Sequence, residues 1–199
     1  MQTKAKICGL TRLTDIEVVN AAKPDYVGFV FAESRRKVTP SQARELKNAL
    51  HKTILAVGVF VNEPQENILA LVNDGIIDII QLHGTEDESY ILALRAKTAA
   101  PIIKAIPIQK AGDAQAWQNT AADYLLLDHK GGGTGETFDW GLIGALAKPF
   151  FLAGGLSPEN IALAISQTKP FAVDVSSGVE DENGQKCRDK IYSFINSCI

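Results

Sequence analysis

The sequence predicts an α/β fold, a single-domain (β/α)8 barrel of the TIM type spanning residues 1–199. Three observations predict it. Eight short apolar runs recur along the chain, segments with helix-start chemistry lie between them, and no polar linker or low-complexity tract divides the series. Strands covered on both faces read as nearly unbroken runs of Val, Ile, Leu and Phe, as in parallel sheets. Eight strand–helix repeats favour closure over an open doubly wound sheet, which usually has about five or six strands.

The runs are Ala5–Cys8, Tyr26–Phe31, Ile54–Val61, Asp78–Leu82, Pro101–Ile106, Asp123–Leu127, Phe150–Ala153 and Phe171–Val175. After the first, Thr14 and Glu17 stand at capping-box spacing. After the second, Thr39 and Gln42 repeat that spacing, with Pro40 at the first helical position, where its missing N–H costs nothing. Thr85 and Glu88 follow the fourth run in the same way. After the seventh, Pro158 takes a first helical position behind Ser157, and Ile161, Leu163, Ala164 and Ile165 follow at helical spacing. A helix is expected after every strand, and a chain of 199 residues leaves little room for insertions.

Composition narrows the function. A net charge of −3 with no long Lys/Arg cluster gives no electrostatic footprint for nucleic acid. Three cysteines, Cys8, Cys187 and Cys198, fit neither a disulfide framework nor a zinc site and read as reduced thiols. No basic leader with an apolar core and small-residue cleavage site opens the chain, and no apolar stretch reaches about eighteen residues. The expectation is a cytoplasmic protein with no membrane partner, and a monomer.

In such a barrel the loops after the strands share one rim, and the chemistry lies there. Gly154-Gly155 after strand seven and Ser176-Ser177-Gly178 after strand eight expose backbone N–H groups. Either pair alone could serve only a tight turn; both, in this order, favour a phosphate site. Gly131–Gly135 reads as a lid over a ligand, or as a flexible connection. Alternation along the first strand turns Lys6 and Cys8 inward, so Lys6 needs a buried partner, and Asp174 on the last strand is the candidate. A neighbouring ammonium favours a thiolate, so Lys6 is expected to activate Cys8. Asp128 ends strand six as a possible acid or a loop cap, and either Arg35 or Arg36 could grip a carboxylate bidentately. His83 reads as structural, and His51 and His129 have weaker claims still.

Lys6-Ile7-Cys8-Gly9-Leu10-Thr11, Gly28-Phe29-Val30-Phe31, Gly58-Val59-Phe60-Val61-Asn62, Gln81-Leu82-His83-Gly84, Leu127-Asp128, Gly132-Gly133-Thr134-Gly135, Gly154-Gly155-Leu156 and Asp174-Val175-Ser176-Ser177-Gly178-Val179-Glu180 together resemble the phosphoribosylanthranilate isomerase family over essentially the whole chain. The resemblance implies an Amadori rearrangement of a phosphorylated aminosugar in tryptophan biosynthesis, with no metal or organic cofactor. It implies Cys8 as general base, Asp128 as general acid and Arg36 as the anthranilate carboxylate ligand, with Arg35 beside it as the alternative. The related isomerase of histidine biosynthesis resembles the chain less, since it carries an aspartate where Cys8 stands. Indole-glycerol phosphate synthase is a further relative, and a non-catalytic sugar-phosphate sensor is the reading from another class.

Overall fold

The computed structural model describes residues 3–129 and 137–198. Eight parallel strands close into a barrel in chain order: β1 (Lys4–Cys8), β2 (Tyr26–Val30), β3 (Leu55–Phe60), β4 (Ile79–Leu82), β5 (Ile102–Ile108), β6 (Tyr124–His129), β7 (Phe150–Leu152) and β8 (Ala172–Val175). Pairing of β1 with β8 completes the ring, so no strand edge is left open. All eight expected strands are present, with ends displaced by a residue or two.

The helices depart from expectation. Six α-helices are present among the described residues: α1 (Leu13–Ala22), α2 (Pro40–Ala49), α3 (Gln65–Asn73), α4 (Glu88–Arg95), α5 (Ile161–Thr168) and α6 (Arg188–Asn196). Between β5 and β6 the described chain forms only the 3₁₀ turn Gln115–Trp117, and before β7 only Trp140–Ile143. Gly112 in the first segment, and Gly141, Gly144 and Pro149 in the second, work against a longer helix.

Capping explains where the helices begin. At α2 the expected box forms: Thr39 Oγ1 accepts from Gln42 N at 3.2 Å and Gln42 Oε1 accepts from Thr39 N at 2.9 Å, with Pro40 opening the helix. At α1 it does not, because the Asp15 carboxylate takes the N–H groups of Thr11 and Arg12, both at 3.1 Å, and moves the cap to Arg12. Thr85 donates to Asn62 instead, and Asp87 caps α4 by accepting from Tyr90 N at 2.9 Å. Pro158 lies in a turn ahead of α5, which starts at Ile161.

Register carries one strand face around the ring. Cys8 lies opposite Gly28, Gly28 opposite Val57, Val57 opposite Ile79, Gln81 opposite Ile103, Ala105 opposite Leu126, Leu126 opposite Phe151, Phe151 opposite Ala172, and Asp174 opposite Lys6. Since side chains alternate along each strand, this whole set faces inward. The outer face packs its own apolar cluster against the helices. Toward the strand starts the interior is filled by aromatics: Phe151 is fully buried, with ring centroids of Tyr26, Tyr124 and Phe171 at 5.5, 5.6 and 5.8 Å. Polar groups are thereby displaced toward the strand ends.

Phe151→Ala should cost about 3–5 kcal/mol, as other large core deletions do, read from urea unfolding. A loss under about 1 kcal/mol would show that this plug is not closely packed.

Candidate active site

A cavity of about 690 Å³ opens at the strand ends, lined among others by Cys8, Arg36, Gln81, His83, Asp128, Gly154, Gly155, Asp174, Ser176 and Ser177. Most are inward positions of the parity just traced. A polar interior at this end and an apolar one at the other follow from the same alternation.

Cys8 ends β1 and is 8% exposed. The thiol has room only because its partner in β2 is Gly28: a Cβ there would stand 2.5 Å from Cys8 Sγ. Beneath it Lys6, fully buried, donates to Asp174 Oδ1 at 2.9 Å, the pairing expected from alternation and closure. Burial works to depress the Lys6 ammonium, but Asp174 and Cys8 more than offset it, and Lys6 stays above its ordinary value.

The expected activation of Cys8 is corrected. Burial pushes the thiol up; Lys6 pulls it down, Asp174 pushes it up again, Lys186 pulls it down, and the net shift is upward. Lys6 therefore acts in the expected direction but is neutralised by Asp174, and desolvation prevails. In the free protein Cys8 rests as a thiol.

Asp128, 8% exposed at the end of β6, lines the same cavity. Its Oδ1 accepts from His129 N at 2.7 Å, and its Oδ2 faces His83 Nε2 at 3.4 Å. His83 Nδ1 in turn lies 3.0 Å from Gln81 Nε2. His83 thus belongs to the cavity wall rather than to the scaffold as expected. Its inward parity, two residues beyond Gln81, was the available signal. His51 lies on the exterior beside Thr53.

The arginine alternatives separate. Arg36 lines the cavity, giving Nε to Glu180 Oε1 at 2.6 Å and Nη2 to Glu180 Oε2 at 2.9 Å. Arg35 is mostly exposed and donates to Glu180 Oε2 at 2.5 Å. Glu180 also accepts from Lys186 Nζ at 2.8 Å. Sequence reading assigned neither Glu180 nor Lys186 a role, since both lie in an irregular segment where periodicity carries no signal.

The two glycine–serine loops meet. Gly155, Ser177 and Gly178 line a recess beside the main cavity with Thr137, Ser157 and Asn160. A Cβ at Gly178 would stand 2.0 Å from Leu156 O, so this close apposition requires glycine. Asn160, just ahead of α5, folds this turn together by accepting from Ser157 N through its Oδ1 at 2.9 Å. The expected lid, Gly131–Gly135, lies outside the described residues. Among the described residues no group of three or more His, Cys, Asp or Glu is placed to hold a metal ion.

Fold and rim together define a (β/α)8-barrel enzyme with ionisable groups gathered at the strand ends. The family model for N-(5'phosphoribosyl)anthranilate (PRA) isomerase matches residues 5–197, and the chain belongs to that family. It is 47% identical to the N-(5'-phosphoribosyl)anthranilate isomerase of Endomicrobium trichonymphae, with 96% of each chain covered. Among solved structures it is similar to the phosphoribosyl anthranilate isomerase of Thermus thermophilus (TM-score 0.89, 34% identity, 98% of each chain). It is also similar to a phosphoribosyl anthranilate isomerase in complex with reduced 1-(o-carboxyphenylamino)-1-deoxyribulose 5-phosphate (TM-score 0.86, 36% identity, 98% of each chain).

Lys6→Met leaves Asp174 buried without its partner and should cost about 3–5 kcal/mol in urea unfolding. Lys6→Met combined with Asp174→Leu should recover most of it, and a double variant as unstable as the single one would refute the pairing as the cause.

Proposed function

We propose that this chain converts N-(5-phosphoribosyl)anthranilate into 1-(2-carboxyphenylamino)-1-deoxyribulose 5-phosphate, the Amadori step of tryptophan biosynthesis, as a cytoplasmic monomer without metal or organic cofactor. The observation that carries the reading is that Cys8, Asp128 and Arg36 line one cavity continuous with the two glycine–serine loops. Family membership over residues 5–197 and likeness to a structure holding a reduced product support the substrate class. Among the described residues no helix is long and apolar enough to cross a membrane.

Each residue has a part in the reaction. Gly154, Gly155, Ser176, Ser177 and Gly178 hold the terminal phosphate through backbone N–H groups, and Arg36 holds the anthranilate carboxylate. Asp128, protonated, gives its proton to the ribose ring oxygen; the C1′–O bond breaks and the nitrogen lone pair forms a Schiff-base cation. That cation acidifies the C2′ hydrogen, which Cys8 takes as its thiolate, and the C–H electron pair becomes the C1′–C2′ double bond. The enolamine then tautomerises to the aminoketose, and passage of a proton from Cys8 back to Asp128 resets the pair. The resting thiol reaches the competent state by passing its proton to the Asp128 carboxylate, so that thiolate and protonated acid form together, and the Schiff-base cation then stabilises the thiolate beside it.

The test is fluorescence-monitored turnover of the anthranilate ribotide in buffer containing EDTA, with the substrates of the histidine-pathway isomerase and of indole-glycerol phosphate synthase as controls. Wild-type protein that leaves the ribotide unchanged would end the proposal. Cys8→Ala and Asp128→Asn should each lower kcat by about 10²–10⁴-fold with the fold intact. Arg36→Ala should act chiefly on KM, and an unchanged KM would transfer the role to Arg35.

The pH profile has a definite shape. Turnover needs a protonated carboxyl together with an ionised thiol, the reverse of the order in which such groups ordinarily lose protons. The competent form is then a small, constant fraction between the two pKa values and declines outside them. Because burial raises the Cys8 thiol, kcat/KM should stay level through neutrality and fall only above about pH 8.5. An alkaline limb below pH 8 would contradict the assignment of Cys8.

A further inference from the structure

We infer that Glu180 is a positioning residue for substrate selection: it occupies one edge of the Arg36 guanidinium so that the opposite edge is presented to the cavity, where it recognises the carboxylate on the aromatic ring. The inference rests on the proposed function and adds a residue that determines how strictly the carboxylate is required.

The geometry is that of a guanidinium held from two sides. Arg36 has two edges able to make paired hydrogen bonds, one through Nε and Nη2 and one through Nη1 and Nη2. Glu180 takes the first, at 2.6 and 2.9 Å. Among the described residues Nη1 makes no hydrogen bond, while the side chain is only 14% exposed and lines the cavity. The stem is confined as well. Gly9 adopts φ +79°, and a Cβ there would stand 2.4 Å from Arg36 Cδ, so the arm lies directly against the backbone that follows Cys8. With the stem on Gly9 and one edge on Glu180, the remaining edge has one direction available.

Glu180 is itself fixed. It is 5% exposed, and Lys186 donates to its Oε1 at 2.8 Å while also donating to the backbone carbonyl of Ser176 at 2.8 Å. Ser176 Oγ donates in turn to the Cys8 carbonyl at 3.1 Å. One chain of contacts therefore ties the carboxylate-reading edge to a phosphate-loop serine and to the strand end bearing the thiol. Although burial opposes its ionisation, hydrogen bonds from Arg36 and Lys186 hold the Glu180 carboxyl down at about 2, so it is charged throughout the working range. Three cations, Arg35, Arg36 and Lys186, share this single carboxylate, which leaves an excess of positive charge on this side of the mouth.

A carboxylate present only to neutralise Lys186 would affect every substrate alike, and that difference sets the experiment. Glu180→Gln keeps the shape and removes the charge. Its KM for the anthranilate ribotide should rise about tenfold or more while kcat stays within about twofold, the mark of lost ground-state binding. For N-(5-phosphoribosyl)aniline, which lacks the carboxylate, KM should be the same in wild type and variant. In an Arg36→Ala background, Glu180→Gln should raise KM no further. Equal shifts for both substrates, no shift for either, or additive effects with Arg36→Ala would overturn the inference. Should Glu180→Gln fail to fold, Glu180→Asp keeps the charge for Lys186 but is too short to hold both nitrogens of Arg36, and it should show the same carboxylate-specific rise in smaller measure; its absence overturns the inference too. Wild-type protein inactive on the anthranilate ribotide would instead defeat the functional reading on which this rests.

Discussion

Closure of β1 onto β8 is the constraint on which the rest of the structure depends. It sets Lys6 opposite Asp174 inside the ring, at 2.9 Å, directly under Cys8. A buried ion pair rarely stabilises a fold relative to well-packed apolar residues, because the desolvation of two charges offsets their attraction. The pair is therefore better understood as part of the site than as part of the core. It places charge beneath the thiol while keeping the interior neutral overall, and it can exist only if the sheet is a ring, since the partners are 168 residues apart.

The same closure organises the rim by halves. The end of β1 carries the thiol and the loop after β2 the cavity-lining arginine, while the end of β6 carries Asp128 and the loops after β7 and β8 the glycine–serine turns. Glu180 bonds across this division to Arg36, 144 residues earlier in the chain, and Ser176 bonds to the Cys8 carbonyl. These cross-ties make the relative placement of the two halves a property of the closed ring rather than of any single loop. Among the described residues the stretch between β5 and β7 has only 3₁₀ turns as cover, and it falls away from these ties, on the acid side of the mouth.

The strands were legible because both faces are buried and the apolar runs are unbroken, and ring closure followed from their number. Lys6, Cys8 and Asp174 were legible for a related reason: alternation places every second residue inside, and closure makes the first and last strands neighbours. Helix starts were legible only where no better acceptor competed. Thr39 kept its box, whereas the Asp15 side chain displaced Thr14 and the Asp87 cap displaced Thr85. The sign of the Cys8 shift was not legible, because it is decided by depth of burial against two ammonium groups, one of them on an unassigned lysine. Glu180 stood in a recognisable motif, but a loop residue 144 positions from its partner leaves no local trace of the contact.

That a sulfur rather than a carboxylate ends β1 follows from the charge balance beneath it. A carboxyl at this position would be ionised at neutrality, close to Asp174, with a single Lys6 between them and little water to screen the repulsion. A thiol is neutral at rest, so it can be buried at small cost and packed against Gly28 without a counter-ion of its own. The thiolate, once formed, is stabilised by the Schiff-base cation that develops beside it in the cavity. The base is thus favoured when there is a proton to remove, and between turnovers the thiol adds no charge of its own beside Asp174.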